Sequence, residues 1–132
     1  MSRILVDTSA YSALLRSHPE ILEAFGRADE VHLNAVVLGE LRAGFRAGTR
    51  RRENERTLLE FLEEGRTKVL PLDEDTADCY AEIFSSLRAA GTPIPTNDLW
   101  IAASAMQYGL RLLTTDRHYL RVHQVIVDYC EP

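Results

Sequence analysis

Five short apolar runs separated by longer helix-forming stretches constrain this chain more than any other feature. The runs centre on Ile4-Leu5-Val6, "EVHLN" (30–34), "TKVLPL" (67–72), "LRLLTTD" (110–116) and "QVIVDY" (124–129). Between them, "YSALLRS", "PEILEAFGRAD", "AVVLGELRAGFRAG", "ENERTLLEFLEEG", "DEDTADCYAEIFSSLRAAG" and "NDLWIAASAMQYG" read as helices. Pro19 suits a first helical turn, and Gly65, Gly91 and Gly109 suit helix ends. Strands of this length alternating with helices imply a parallel sheet covered on both faces. The expectation is one α/β domain over residues 1–132. It is a three-layer α/β/α fold with a central, mostly parallel sheet of about five short strands flanked by helices. No repeat, low-complexity tract or Pro/Gly-rich linker divides the chain.

Two of these strands end in the same way. Ile4-Leu5-Val6 runs into Asp7-Thr8-Ser9, and "LRLLTTD" runs through Thr114 and Thr115 into Asp116. One such aspartate is adequately explained as a helix cap. Two are harder to dismiss, because parallel sheets bind ligands in the crevice beyond the carboxyl ends of their strands.

Two further acids are expected on helices. Asp98 falls in the first turn of "NDLWIAASAMQYG", on the face of Ile101, Ala102 and Ala105 and roughly opposite Gln107. The helix dipole explains an acid at that position but not its inward direction. Glu40 flanks the stripe of Val37, Leu38, Leu41 and Phe45, and its own column passes through Val36, Ala43 and Gly44. A salt bridge to Arg42 is the plain alternative for Glu40.

Energy decides what converging acids need. Two like charges ~4 Å apart repel by about 4 kcal/mol at an effective dielectric constant of ~20. Several such pairs would take much of a total stability of ~5–15 kcal/mol. Some carboxylates must then hold protons, or a divalent cation must neutralise them. Hard oxygen donors with no Cys or His among them favour Mg²⁺ or Mn²⁺. Metal-assisted hydrolysis of a phosphodiester is the chemistry such a site performs.

The net charge of −5, from 15 basic and 20 acidic residues, excludes a generic nucleic-acid coat protein. Charge is uneven, however. Arg42, Arg46, Arg50, Arg51, Arg52 and Arg56 are opposed in their segment only by Glu53 and Glu55, which suits either a solvated helix face or a phosphate-binding surface. No run is long and apolar enough to span a membrane or to act as a signal peptide, so a cytoplasmic protein is expected. Cys79 and Cys130 lack metal-ligand spacing and are read as packing thiols.

Taken together, "ILVDTSA", "LGEL", "PTNDLWIAA" and "LLTTDRHY" resemble the PIN-domain ribonucleases, specifically the VapC toxins of type II (VapBC) toxin–antitoxin pairs. The likeness uses essentially the whole chain. It implies that Asp7, Glu40, Asp98 and Asp116 are the acidic quartet binding Mg²⁺ or Mn²⁺, with Asp7 and Asp98 as direct ligands. Glu40 and Asp116 would complete the site directly or through water, supported by Thr8, Ser9, Asn97, Thr114 and Thr115. The resemblance further implies endonucleolytic cleavage of tRNA, rRNA or mRNA that leaves a 5′-phosphate. It implies a homodimer, and a VapB-like antitoxin whose C-terminal segment covers the groove. Arg42, Arg46, Arg50, Arg51 and Arg117 become candidate contacts to RNA or antitoxin. His118 is a further candidate for touching substrate, with an ordinary surface role at least as well supported. Trp100 and the tyrosines are expected in the core or at a dimer interface rather than as base-stacking platforms.

Competing readings are a housekeeping RNA-processing nuclease of the same fold and a PIN-like binding module without turnover. A phosphohydrolase with an aspartyl nucleophile wants a second Asp where Ser9 stands. A phosphoacceptor receiver domain wants a Lys at a strand end, whereas Lys68 begins its strand.

Overall fold

A computed structural model describes residues 2–132. Five strands are present: β1 (Arg3–Val6), β2 (Glu30–Asn34), β3 (Thr67–Leu70), β4 (Arg111–Thr114) and β5 (Val127–Tyr129). Six α-helices join them: α1 (Thr8–Leu15), α2 (Pro19–Arg27), α3 (Ala35–Ala47), α4 (Arg51–Glu63), α5 (Glu74–Ala90) and α6 (Thr96–Tyr108). A 3₁₀ turn over Arg117–Arg121 comes after β4; so short an element leaves no periodic signal in a sequence.

The strand order is β3-β2-β1-β4-β5, and all four pairings are parallel, so the sheet is wholly rather than mostly parallel. Leu5 lies beside His32 of β2 on one side and Leu112 of β4 on the other. Chain leaving β1 crosses to β2, whereas chain leaving β4 crosses to β5, in the opposite direction. The carboxyl ends of β1 and β4 therefore flank the point where strand order reverses, the position at which such sheets open a crevice.

Apolar residues of the strands make the centre of the core. Leu5, Val31, Leu33, Leu112 and Leu113 are fully buried, joined by Tyr11, Ile21, Leu58, Ile83 and Ile101 from the helices. Helix α5 packs along α6, α1 meets α2, and α3 touches both α4 and α6. Local signals account for most boundaries. Pro19 opens α2, Asp73 and Thr76 form a reciprocal capping box on α5, and Gly91 and Gly109 end α5 and α6 in the left-handed conformation. Gly65 does not do the same for α4. That helix is closed at Glu64 in extended backbone, and Arg66 turns back to hold the Phe25 and Ala28 carbonyls from its guanidinium, at 3.0 and 2.7 Å. Both cysteines are free thiols, Cys130 buried and Cys79 half-buried.

Candidate metal centre

The end of β1 delivers Asp7 into the interior, where it is only 3 % exposed. It caps α1, its Oδ1 accepting the Ala10 N–H at 2.8 Å. The Ser9 hydroxyl lies 2.8 and 2.9 Å from its two oxygens, and Thr114 donates to Oδ2 at 2.8 Å. Burial pushes the Asp7 carboxyl up to about 6, against the pull of these hydrogen bonds, and the charge of Asp116 adds to the rise. Asp7 does cap the helix, but a cap at a helix mouth is normally wet, and this one is dry.

Thr114 binds the two strand ends to each other. Its hydroxyl donates to Asp7 and accepts the backbone N–H of Asp116 at 2.9 Å. Ser9 extends the link by accepting the Thr115 N–H at 3.0 Å. Asp116 then caps the 3₁₀ turn by accepting the His118 N–H at 2.9 Å, and its side chain stays 35 % exposed.

The two helical acids are set by a residue whose role the sequence does not reveal. Asn34 ends β2, is fully buried and caps α3, its Oδ1 accepting from the N–H groups of Val36 and Val37. Its amide donates across to Ser104 Oγ at 2.9 Å and the Trp100 carbonyl at 3.2 Å on α6. The start of α3 is thereby fixed against α6, and with it Glu40 against Asp98. Glu40 accepts from Thr8 Oγ1 at 2.6 Å and from Asn97 Nδ2 at 3.3 Å, so each of its oxygens is held by the neighbour of another acid. Arg42, its expected alternative partner, pairs instead with Glu55 at 3.4 Å.

Asp98 projects from the first turn of α6 and its side chain is 14 % exposed. Burial raises its carboxyl, and the nearby charge of Asp116 raises it further. Tyr119, fully buried, donates its hydroxyl to Asp98 Oδ1 at 3.2 Å. Burial and the charges of Asp7, Asp98 and Asp116 push that phenol well above its ordinary range, which keeps it a proton donor. Neither Tyr119 nor the placement of His118 is evident from spacing; the signal lies in "TTDRHY", where a single turn after Asp116 returns the chain to the crevice. His118 Nδ1 stands 3.3 Å from Asp98 Oδ2 and 3.2 Å from Asp116 Oδ1.

Three of the predicted acids, Asp7, Asp98 and Asp116, are linked through Thr114 and His118, and Glu40 is held by Thr8 and Asn97, the chain neighbours of Asp7 and Asp98; Ser9 also contacts Asp7. Among the described residues no arginine or lysine pairs with any of the four. Asp98, Asp116 and His118 present ligand atoms within 4.8 Å of one another, a tight group to which neither Asp7 nor Glu40 belongs. Clustered carboxylates without an arginine or lysine partner, two of them raised by burial and by the charge of Asp116, fit a divalent cation. The donor set differs from the expectation in one respect, because an imidazole stands among the oxygens.

The arginine segment is divided. Arg50 is bound to Glu53 at 2.8 Å, as Arg42 is to Glu55, whereas Arg46, Arg51, Arg52 and Arg56 are exposed and have no carboxylate within 4.0 Å among the described residues. Arg117 turns toward β5, over the Tyr129 ring and 3.7 Å from Glu131. Trp100 packs on Tyr80 with ring centroids 4.3 Å apart.

A parallel sheet of this order with carboxylates at its switch point defines a class, and the family comparison names it: residues 4–124 match the PIN domain, and the chain belongs to the PIN domain family. Within that family it is of the VapC type. It is similar to Ribonuclease VapC4 of Mycobacterium tuberculosis, with 33 % identity over 127 residues and 95 % of each chain covered. Toxin FitB of Neisseria gonorrhoeae is 34 % identical over 122 residues, covering 86 % of this chain and 87 % of that one. The fold superimposes on a chain of DNA-bound VapBC from Salmonella typhimurium with a TM-score of 0.85 and 25 % identity, covering 98 % of both. No helix among the described residues is long and apolar enough to cross a membrane.

Proposed function

We propose that this protein is the ribonuclease toxin of a toxin–antitoxin pair, cutting RNA endonucleolytically in the cytoplasm with Mg²⁺ or Mn²⁺ at Asp7, Glu40, Asp98 and Asp116. The observation that carries the reading is the convergence of these four acids, from β1, α3, α6 and the end of β4, with no arginine or lysine to neutralise them among the described residues. Relatives named as VapC ribonucleases, and neighbours solved as VapBC and FitAB complexes, support an RNA substrate and an antitoxin partner. A homodimer completes the proposal.

A divalent ion held by these carboxylates supplies acidified water and charge stabilisation at phosphorus, which phosphodiester hydrolysis requires. The protein's part is to hold and orient. Asp98 and Asp116 face the same space, Asp7 is seated by Ser9 and Thr114, and Glu40 is aimed by Thr8 and Asn97. Tyr119 keeps one Asp98 oxygen in place through its hydroxyl. Such pre-set geometry matters because small misplacements of reacting groups are costly in rate.

The test is end-mapping of cellular RNA after brief expression of wild type beside Asp98→Asn, with purified protein assayed in EDTA and in Mn²⁺. Discrete new 5′-phosphate ends with wild type alone, lost in EDTA and restored by Mn²⁺, are expected. Cleavage undiminished by chelation would refute the metal mechanism.

A further inference from the structure

We propose that His118 is itself a ligand of the cation, with Asp98 and Asp116, and that this mixed nitrogen–oxygen set biases the centre toward Mn²⁺ over Mg²⁺. The inference rests on the metal-dependent reading above and names a donor which that reading does not need.

Three features of the ring carry it. Its Nδ1 lies 3.3 Å from Asp98 Oδ2 and 3.2 Å from Asp116 Oδ1, closing a triangle with the two acids. Those separations are long for hydrogen bonds between an imidazolium and a carboxylate, which contract to about 2.7–2.9 Å. They are close to the spacing of neighbouring ligands on one ion, since donors about 2.1 Å from an octahedral centre and at right angles stand about 3 Å apart. All three ligand atoms lie within 4.8 Å of one another, so a single ion could touch each of them.

The root of the side chain is fixed as well. Asp116 accepts the His118 N–H at 2.9 Å and caps the 3₁₀ turn, so the ring and the carboxylate are held by the same turn. The His118 side chain is 42 % exposed, which leaves the ring room to adjust by a few tenths of an ångström. Ligation requires the proton to sit on Nε2 and leave Nδ1 free, one of the two neutral tautomers of the ring.

Selectivity comes from donor chemistry. Mg²⁺ demands oxygen ligands and retains its water, whereas imidazole nitrogen raises affinity along the first transition series. Mn²⁺, a first-row transition ion, is therefore expected to lose less than Mg²⁺ when imidazole takes the place of one oxygen donor.

The experiment is Mn²⁺ titration of the intact protein by electron paramagnetic resonance, with pulsed detection of ¹⁴N coupling and Mg²⁺ as competitor. Wild type, His118→Asn, His118→Ala and Asp98→Asn are compared, and circular dichroism checks each fold. A ¹⁴N coupling in wild type that both His118 variants lose is expected. The Mn²⁺/Mg²⁺ affinity ratio should fall about fivefold or more in His118→Asn, whose amide oxygen stands about where Nδ1 stood. Mn²⁺ bound by wild type without ¹⁴N coupling and with an unchanged ratio in the variants would overturn the role of His118 and leave the carboxylate site standing. Absence of Mn²⁺ binding by wild type would overturn both.

Discussion

Asp7 and Asp116 close the same pattern at adjacent strands, an apolar run with hydroxyl residues at its tip, yet they occupy opposite environments. Asp7 is 3 % exposed, with both oxygens taken by Ser9, Thr114 and the Ala10 N–H. Asp116 caps a five-residue 3₁₀ turn instead of an eight-residue α-helix, and its side chain remains 35 % exposed. The difference lies in the element that each aspartate caps. Helix α1 buries Ala10, Tyr11 and Ala13 next to its cap and seals it, whereas the 3₁₀ turn leaves its cap open to incoming groups. One sequence device thus gives a fixed post and an accessible carboxylate.

The sharpest way to break that contrast is substitution at both ends. Asp116→Asn and Asp7→Asn are each expected to lower RNA cleavage on the order of a thousandfold, about 4 kcal/mol of lost transition-state stabilisation. If Asp7→Asn kept more than a tenth of the wild-type rate, the fixed post would be shown dispensable.

A smaller effect separates the two ends by pH. The Asp7 carboxyl sits near 6 in the folded chain against 3.8 as its ordinary value, so the folded state binds its proton more tightly than the unfolded state does. The stability of metal-free protein must then fall as pH rises from about 4 to about 6, and level off above, by roughly 3 kcal/mol from this group. Asn at position 7 removes that loss but gives up an acceptor, for a net gain of about 1–2 kcal/mol at pH 8 that disappears below pH 4. Urea denaturation in EDTA at pH 4 and pH 8 measures it, and no pH-dependent difference between the two proteins would contradict the burial cost. The same substitution at Asp116, already in contact with water, should change stability far less.

The smallest effects belong to the arginines outside the centre. Replacing the unpaired Arg46 and Arg56 by Ala should weaken RNA binding only a few-fold. It should reduce the slope of log affinity against log salt by about 0.7 for each phosphate that is no longer neutralised. Replacing Arg50, already occupied by Glu53, should leave the slope unchanged, and equal slopes for all variants would remove this surface from RNA recognition.

Much of this is written in local pattern. Strand positions come from apolar runs, and α5 and α6 end where Gly91 and Gly109 supply the left-handed conformation. Asp7 and Asp116 are legible because they end strands, and Asp98 because helical spacing turns it inward. Strand order is not local, so the adjacency of β1 and β4 needs the structure. Nor can spacing reveal Asn34, which looks like any helix cap until its amide is seen reaching α6. Gly65 misleads because a glycine after a helix need not take positive φ when an arginine ties down the turn. His118 reads in the sequence only as a candidate for touching substrate, because its partners Asp98 and Asp116 are brought to it by the fold and not by spacing.

The Thr114 hydroxyl, shared between Asp7 and the amide of Asp116, also sets when the centre comes into being. Asp7 is made well before the strand that seats it, since β4 follows β1 by more than a hundred residues. The carboxylates of residues 7 and 116 can therefore be brought together only once residues 111–116 have docked beside β1.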